Sequence, residues 1–123
     1  MRKYLLLHVL IISFVFFLTP TIQEASDAEE KIEAYKQAIR INPDDAEAHY
    51  NLGVAYANSG MYKEGIDAFK QAIRIDPDSA MVHYFLGRSY VSLKDKDSAL
   101  EQYKILKSLD SELANELFNL IYE

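Results

Sequence analysis

The segment from Ile32 to Asp44 reads IEAYKQAIRINPD and the segment from Ile66 to Asp78 reads IDAFKQAIRIDPD. Ten of thirteen positions are identical, and the other three exchange Glu/Asp, Tyr/Phe and Asn/Asp at an offset of 66 − 32 = 34. The same offset lays AEAHYNLGVAY (Ala46 to Tyr56) on AMVHYFLGRSY (Ala80 to Tyr90), matching Ala46/Ala80, His49/His83, Tyr50/Tyr84, Leu52/Leu86, Gly53/Gly87 and Tyr56/Tyr90. A fixed period of this length means one supersecondary unit built repeatedly, each copy burying its apolar face against the next.

Each unit carries two helical patterns. Ala48, Leu52, Ala55 and Tyr56 fall at i, i+4, i+7 and i+8, one stripe of an amphipathic helix from Ala46 to Asn58. Ser59-Gly60 then ends it, glycine being the residue best suited to the left-handed conformation past a helix end. A second helix, from about Tyr62 to Ile75, sets Ile66, Phe69, Ala72 and Ile73 on its inner face and stops at Asp76-Pro77.

Period 34, the helix-turn-helix unit and the pattern Leu52-Gly53, Tyr56, Phe69, Ala72, Pro77 together resemble the tetratricopeptide repeat family. The resemblance covers about Asp27 to Glu123 and implies an all-α superhelix of about two and a half repeats. Residues 27–45 form a half repeat, 46–79 and 80–113 two full repeats, and 111–122 a capping helix. In the cap, Ser111 or Asp110 is placed to be the N-cap, and Leu113, Leu117, Leu120 and Ile121 form one stripe with Glu112, Glu116 and Asn119 turned to water.

Departures from the family pattern carry expectations of their own. Gly65 stands where the family has alanine, which weakens that helix by about 1 kcal/mol. In the second unit Leu106 replaces the small Ala72, Ser111 replaces the proline, and Lys94-Asp95 takes over from the Ser59-Gly60 turn. Such a degenerate last repeat suits a capping end. Upstream, Asp27 to Ile41 matches only a second helix, and its first-helix counterpart falls on Ile12 to Ala25, where Pro20 argues against a normal partner helix.

That upstream stretch belongs to a hydrophobic leader helix preceding the array. Arg2 and Lys3 come before an apolar run from Leu5 to Leu18, interrupted by His8 and Ser13 and ended by Thr19-Pro20-Thr21. Fourteen helical residues span roughly 21 Å, short of the roughly 30 Å of a hydrocarbon core, which favours a signal peptide over a spanning helix. No good small-x-small cleavage site follows, so residues 1–22 are expected to be a cleaved signal peptide or an uncleaved signal anchor, with a buried core helix the third reading. The first two place the body of the chain outside the cytoplasm, periplasmic or secreted in one case and membrane-anchored in the other, with the membrane touched only through this segment.

Charge and composition close off other classes. Net charge is −6, or −6 − 2 = −8 without Arg2 and Lys3, and this disfavours nucleic acid as a partner. The chain has no cysteine, hence no disulfide, thiol chemistry or lipid-modified leader. His49 and His83 sit one period apart, about one helix spacing of 8–10 Å, too far to share a metal, so both are expected to be packing residues. Glu29-Glu30 and Asp44-Asp45 point apart on a helix and suit capping and dipole roles, and Lys94-Asp95-Lys96-Asp97 suits a solvated turn. No catalytic, metal or cofactor site is expected.

The family resemblance implies a concave groove lined by set positions of each first helix. Here these are Glu47, Tyr50, Val54, Ala57 and Asn58, then Met81, Tyr84, Arg88, Val91 and Ser92. The expected function is a non-catalytic adaptor that binds a protein or peptide segment there, aromatic residues, Met and Arg being strong contributors at interfaces. The family's carboxylate clamp for chaperone C-termini is excluded, because Tyr50, Val54 and Phe85 stand where it needs Lys, Asn and Asn. The alternative is a self-assembling or structural subunit, a homo-oligomer in which Ile32, Tyr35 and Ile39 of the half repeat meet a second copy.

Overall fold

The computed structural model describes residues 2–123, without the side chains of residues 18–20. Those side chains include the expected end of the apolar run, which therefore lies outside the described residues. Among the described residues there are six helices and no strand: α1 (Arg2–Ile41), α2 (Ala46–Asn58), α3 (Tyr62–Ile75), α4 (Ala80–Ser92), α5 (Lys96–Leu109) and α6 (Ser111–Tyr122). The chain divides into two units, Met1–Glu30 and Lys31–Glu123.

The leader helix and the helix expected to begin near Asp27 are one continuous element, α1. A proline forfeits one i→i−4 bond, and the helical residues on either side keep theirs, so residue 20 does not end the helix. Asp27 is accordingly mid-helix, accepting from Gln23 Nε2 at 2.9 Å one turn earlier instead of capping an N-terminus. In the first unit the large apolar side chains lie bare, Phe17 at 84% exposure among them.

In the second unit each helix from α2 onward packs on its successor, and α6 also returns to α4. The apolar stripes close into three clusters. Ile32, Leu52 and Ala68 join α1, α2 and α3; Ile66, Phe69, Ala72, Val82 and Leu86 join α3 and α4; Leu106, Ala114 and Leu117 join α5 and α6. Phe69, Leu106 and Leu117 are fully buried, each contributing about 1.5–3 kcal/mol of transfer free energy. The face proposed for self-assembly is consumed here: Ile32 is buried, and Tyr35 and Ile39 pack against the same cluster, because α1 meets α2 and α3 through its apolar stripe.

Local chemistry sets the helix ends. Asp45, Asp95 and Asp110 cap α2, α5 and α6, accepting from Ala48, from Ser98, and from both Glu112 and Leu113. Asp95 as a cap puts Lys96 and Asp97 inside α5, so the expected four-residue charged turn is shorter than its sequence suggests. The turn register also moves by one: Gly60 has φ 75° and Lys94 φ 62°, so Leu93-Lys94 answers Ser59-Gly60.

Candidate functional site

The two histidines hold the loops between units. Pro43 and Pro77 end the runs that precede α2 and α4, and a carbonyl oxygen can only accept. His49 Nε2 therefore donates to Pro43 O at 2.9 Å, and His83 Nε2 to Pro77 O at 2.8 Å. Nδ1 of His83 faces the Gln102 side-chain amide at 2.8 Å, and its ring is buried. Both histidines, expected as packing residues, thus brace their loops by hydrogen bonds.

Glycine lets the helices approach. A Cβ on Gly53 would lie 2.5 Å from the Phe69 ring, and one on Gly87 2.5 Å from Leu117. With Gly53 in place, α3 drives Phe69 deep between α2 and α4, where its ring stands 6.2 Å from Tyr50 and 6.2 Å from Phe85. Over the buried Phe69, the Tyr50 and Phe85 rings line a cleft between α2 and α4.

The cleft holds two hollows. One, of about 310 Å³, lies at the N-terminal ends of α2 and α4 and is lined by Glu47, Tyr50, Asp76, Ser79 and Met81 among others. The other, of about 280 Å³, lies toward their C-terminal ends and is lined by Ala57, Asn58, Phe85, Arg88 and Ser92 among others. Between them stand Tyr50 and Phe85, edge to face at 5.7 Å.

Seven of the ten residues expected to line the groove thus sort into two groups: Glu47, Tyr50 and Met81 in the first hollow, Ala57, Asn58, Arg88 and Ser92 in the second. Val54 is half-buried against the Phe69 cluster and lines neither. Tyr84 lines neither as well, because α6 packs on α4 and draws its ring into the Leu106 and Leu117 cluster. Val91 faces a separate hollow beside Leu120 and Ile121. Phe85, Asp76 and Ser79 are among the lining residues that repeat position alone did not single out. Phe85 was legible only as a departure from the clamp pattern, and Asp76 enters from the end of α3.

Electrostatics divide the cleft along its length. Glu47 and Asp76, both exposed, give the first hollow its charge. The Arg88 guanidinium carbon sits 5.6 Å from the centre of the Tyr84 ring and 5.3 Å from that of Phe85, a cation–π arrangement that holds it above the second hollow. Burial pushes the Tyr50 hydroxyl above the usual tyrosine range. Burial, and then the Glu116 carboxylate that bonds it, does the same for Tyr84 against an opposing pull from Arg88.

Stacked helix pairs in register, with a cleft along the first helices, define a helical-repeat protein of the interaction type. Family models named TPR repeat or tetratricopeptide repeat match residues 27–60, 46–79 and 81–112. The chain belongs to the tetratricopeptide repeat family.

Solved structures agree on the fold. TTC0263, a thermophilic TPR protein of Thermus thermophilus, superposes with a TM-score of 0.73 at 27% identity, covering 82% of this chain and 53% of that one. MamA of AMB-1 gives 0.66 at 27% identity, covering 72% of this chain and 53% of that one. The TPR2B domain of yeast Sti1, solved with pHsp70, gives 0.71 at 24% identity, covering 89% of this chain and 92% of that one. The chain thus spans about half the length of MamA and of TTC0263. Comparison with curated protein sequences gives no match.

Proposed function

We propose that this protein is a non-catalytic adaptor that docks an extended segment of a protein partner in the cleft between α2 and α4. The observation that carries this is the pair of hollows meeting at Tyr50 and Phe85, lined from both repeats, with Glu47 and Met81 at one equivalent place and Asn58 and Ser92 at another. The TPR2B domain of Sti1, with a related fold, is solved in complex with pHsp70, which supports such an array taking a bound partner. The ligand itself differs, since Tyr50, Val54 and Phe85 replace the polar clamp residues. Capture of partners by the full-length chain tests the cleft. Met81→Ala with Arg88→Ala removes two exposed side chains from its two ends, and retention of every partner by this well-folded variant would rule the cleft out.

The leader supports display outside the cytoplasm. Arg2 and Lys3 precede side chains such as Leu10, Phe14 and Phe17 that stand 66%, 68% and 84% exposed, a continuous apolar surface suited to hydrocarbon. Protease added to intact cells or spheroplasts is expected to digest the repeat unit. The N-terminal residue of the cellular protein then separates a cut leader from an anchor, and full protection of the repeats would place them inside.

A further inference from the structure

The side chains of the cleft are charged oppositely at its two ends, and no ion pair among the described residues neutralises either. Among the described residues no ion pair engages Glu47, Asp76 or Arg88; the pairs present join Arg40 to Glu33, Arg74 to Asp44 and Lys104 to Glu101. Asp76 accepts only from the backbone of Asp78, at 3.4 Å. The Tyr84 and Phe85 rings beneath its guanidinium favour the place of Arg88 at the second hollow, away from the acidic end. Glu116, the carboxylate at the Tyr84 hydroxyl, lines neither hollow.

Helix geometry gives the separation. Glu47 and Asn58 are eleven residues apart on α2, and Met81 and Arg88 seven apart on α4. At about 1.5 Å per residue these are roughly 16 and 10 Å, a span that an extended peptide covers with about three to five residues. The partition crossed on the way is aromatic, the Tyr50 and Phe85 rings. We propose that the cleft selects a dipolar segment: a basic side chain in the Glu47 and Asp76 hollow, an acidic one at Arg88, and apolar residues between them over Tyr50 and Phe85.

This rests on the cleft being the docking site, and the test separates the two claims. Short synthetic peptides with two positions about four residues apart, joined by apolar residues, are made as Lys/Glu in both orders, Lys/Lys and Glu/Glu, and titrated against the full-length protein in detergent. A mixed-charge peptide is expected to bind about fivefold more tightly than either like-charged one at low salt, with the advantage shrinking as salt rises. Arg88→Glu is expected to transfer the preference to the Lys/Lys peptide, and Glu47→Lys with Asp76→Asn, which reverses the sign of the first hollow, to transfer it to Glu/Glu, all three side chains being exposed and outside the core. Peptides that bind regardless of charge, and lose binding on Met81→Ala with Arg88→Ala, overturn the dipolar preference and leave the cleft standing. Absence of binding by all the peptides, or a charge preference that ignores both reversals, overturns the proposal together with its location.

Discussion

Lys94 adopts φ 62° at the place where, one repeat earlier, Gly60 adopts φ 75°. The left-handed conformation crowds the Cβ of an ordinary residue against its own carbonyl, at a cost of about 1–2 kcal/mol that glycine escapes. The second turn therefore keeps the geometry of the first under strain. Asp95 caps α5 directly after it, so the strained residue cannot relax without releasing that helix start. Lys94→Gly is expected to stabilise the fold by about 1 kcal/mol and raise the Tm by about 4–8 °C, read by thermal denaturation. A lowered Tm would show that the turn does not hold this conformation.

Two glycines at one crossing predict losses of different origin. In Gly53→Ala the new methyl would stand 2.5 Å from the Phe69 ring, which is fully buried and has nowhere to move. The expected cost is about 1–3 kcal/mol, and Phe69→Leu in the same chain should recover part of it, giving a sub-additive double mutant by chemical denaturation. Gly65→Ala reverses a sequence-based expectation. Helix propensity alone offers a gain of about 1 kcal/mol, but the added methyl would stand 3.1 Å from the Gly53 carbonyl oxygen, part of a helix that cannot yield cheaply. Gly65→Ala is therefore expected to lower stability, and a gain would mean that α2 and α3 separate easily.

Helix caps that look alike in sequence are expected to differ in worth. Asp110 accepts from two backbone amides of α6, those of Glu112 and Leu113, at 3.0 and 3.1 Å. Ser79 occupies the same position before α4 without a side-chain bond to it. Asp110→Ala should cost about 1 kcal/mol and Ser79→Ala a few tenths at most, measured by urea unfolding of both variants in parallel. Equal losses would contradict the cap geometry of α6.

Much of this array is legible in the sequence because one offset governs it. The helix bounds around Leu52-Gly53 and Leu86-Gly87 follow from stripe and breaker residues, and repetition makes each pattern a check on the other. Three features escaped that logic. Pro20 signals an end by local rules, yet α1 continues past it. Repeat position assigns Tyr84 to the groove, but α6 packs on α4 and takes that ring into its own cluster with Leu106 and Leu117. Asp76 joins the cleft because α3 ends beside α2 and α4, a meeting of three helices that no single-helix periodicity encodes.

The two tyrosines also give the fold an alkaline limit. Both hydroxyls are held above the ordinary value of 10.0, Tyr50 by burial and Tyr84 by burial and then by Glu116. In the folded chain each phenol keeps its proton at a pH where the unfolded chain has begun to lose it, so the folded state binds more protons there. Stability from this source is complete below about pH 10 and declines as pH rises through the folded-state values. Tyr50→Phe with Tyr84→Phe removes both titrations, so the urea midpoint of the double variant should fall less steeply above pH 10 than that of the parent. Glu116→Gln should reduce the Tyr84 part alone, because it replaces a charge that opposes the phenolate with a neutral amide. Parallel alkaline curves for parent and double variant would show that neither ring titrates differently on folding.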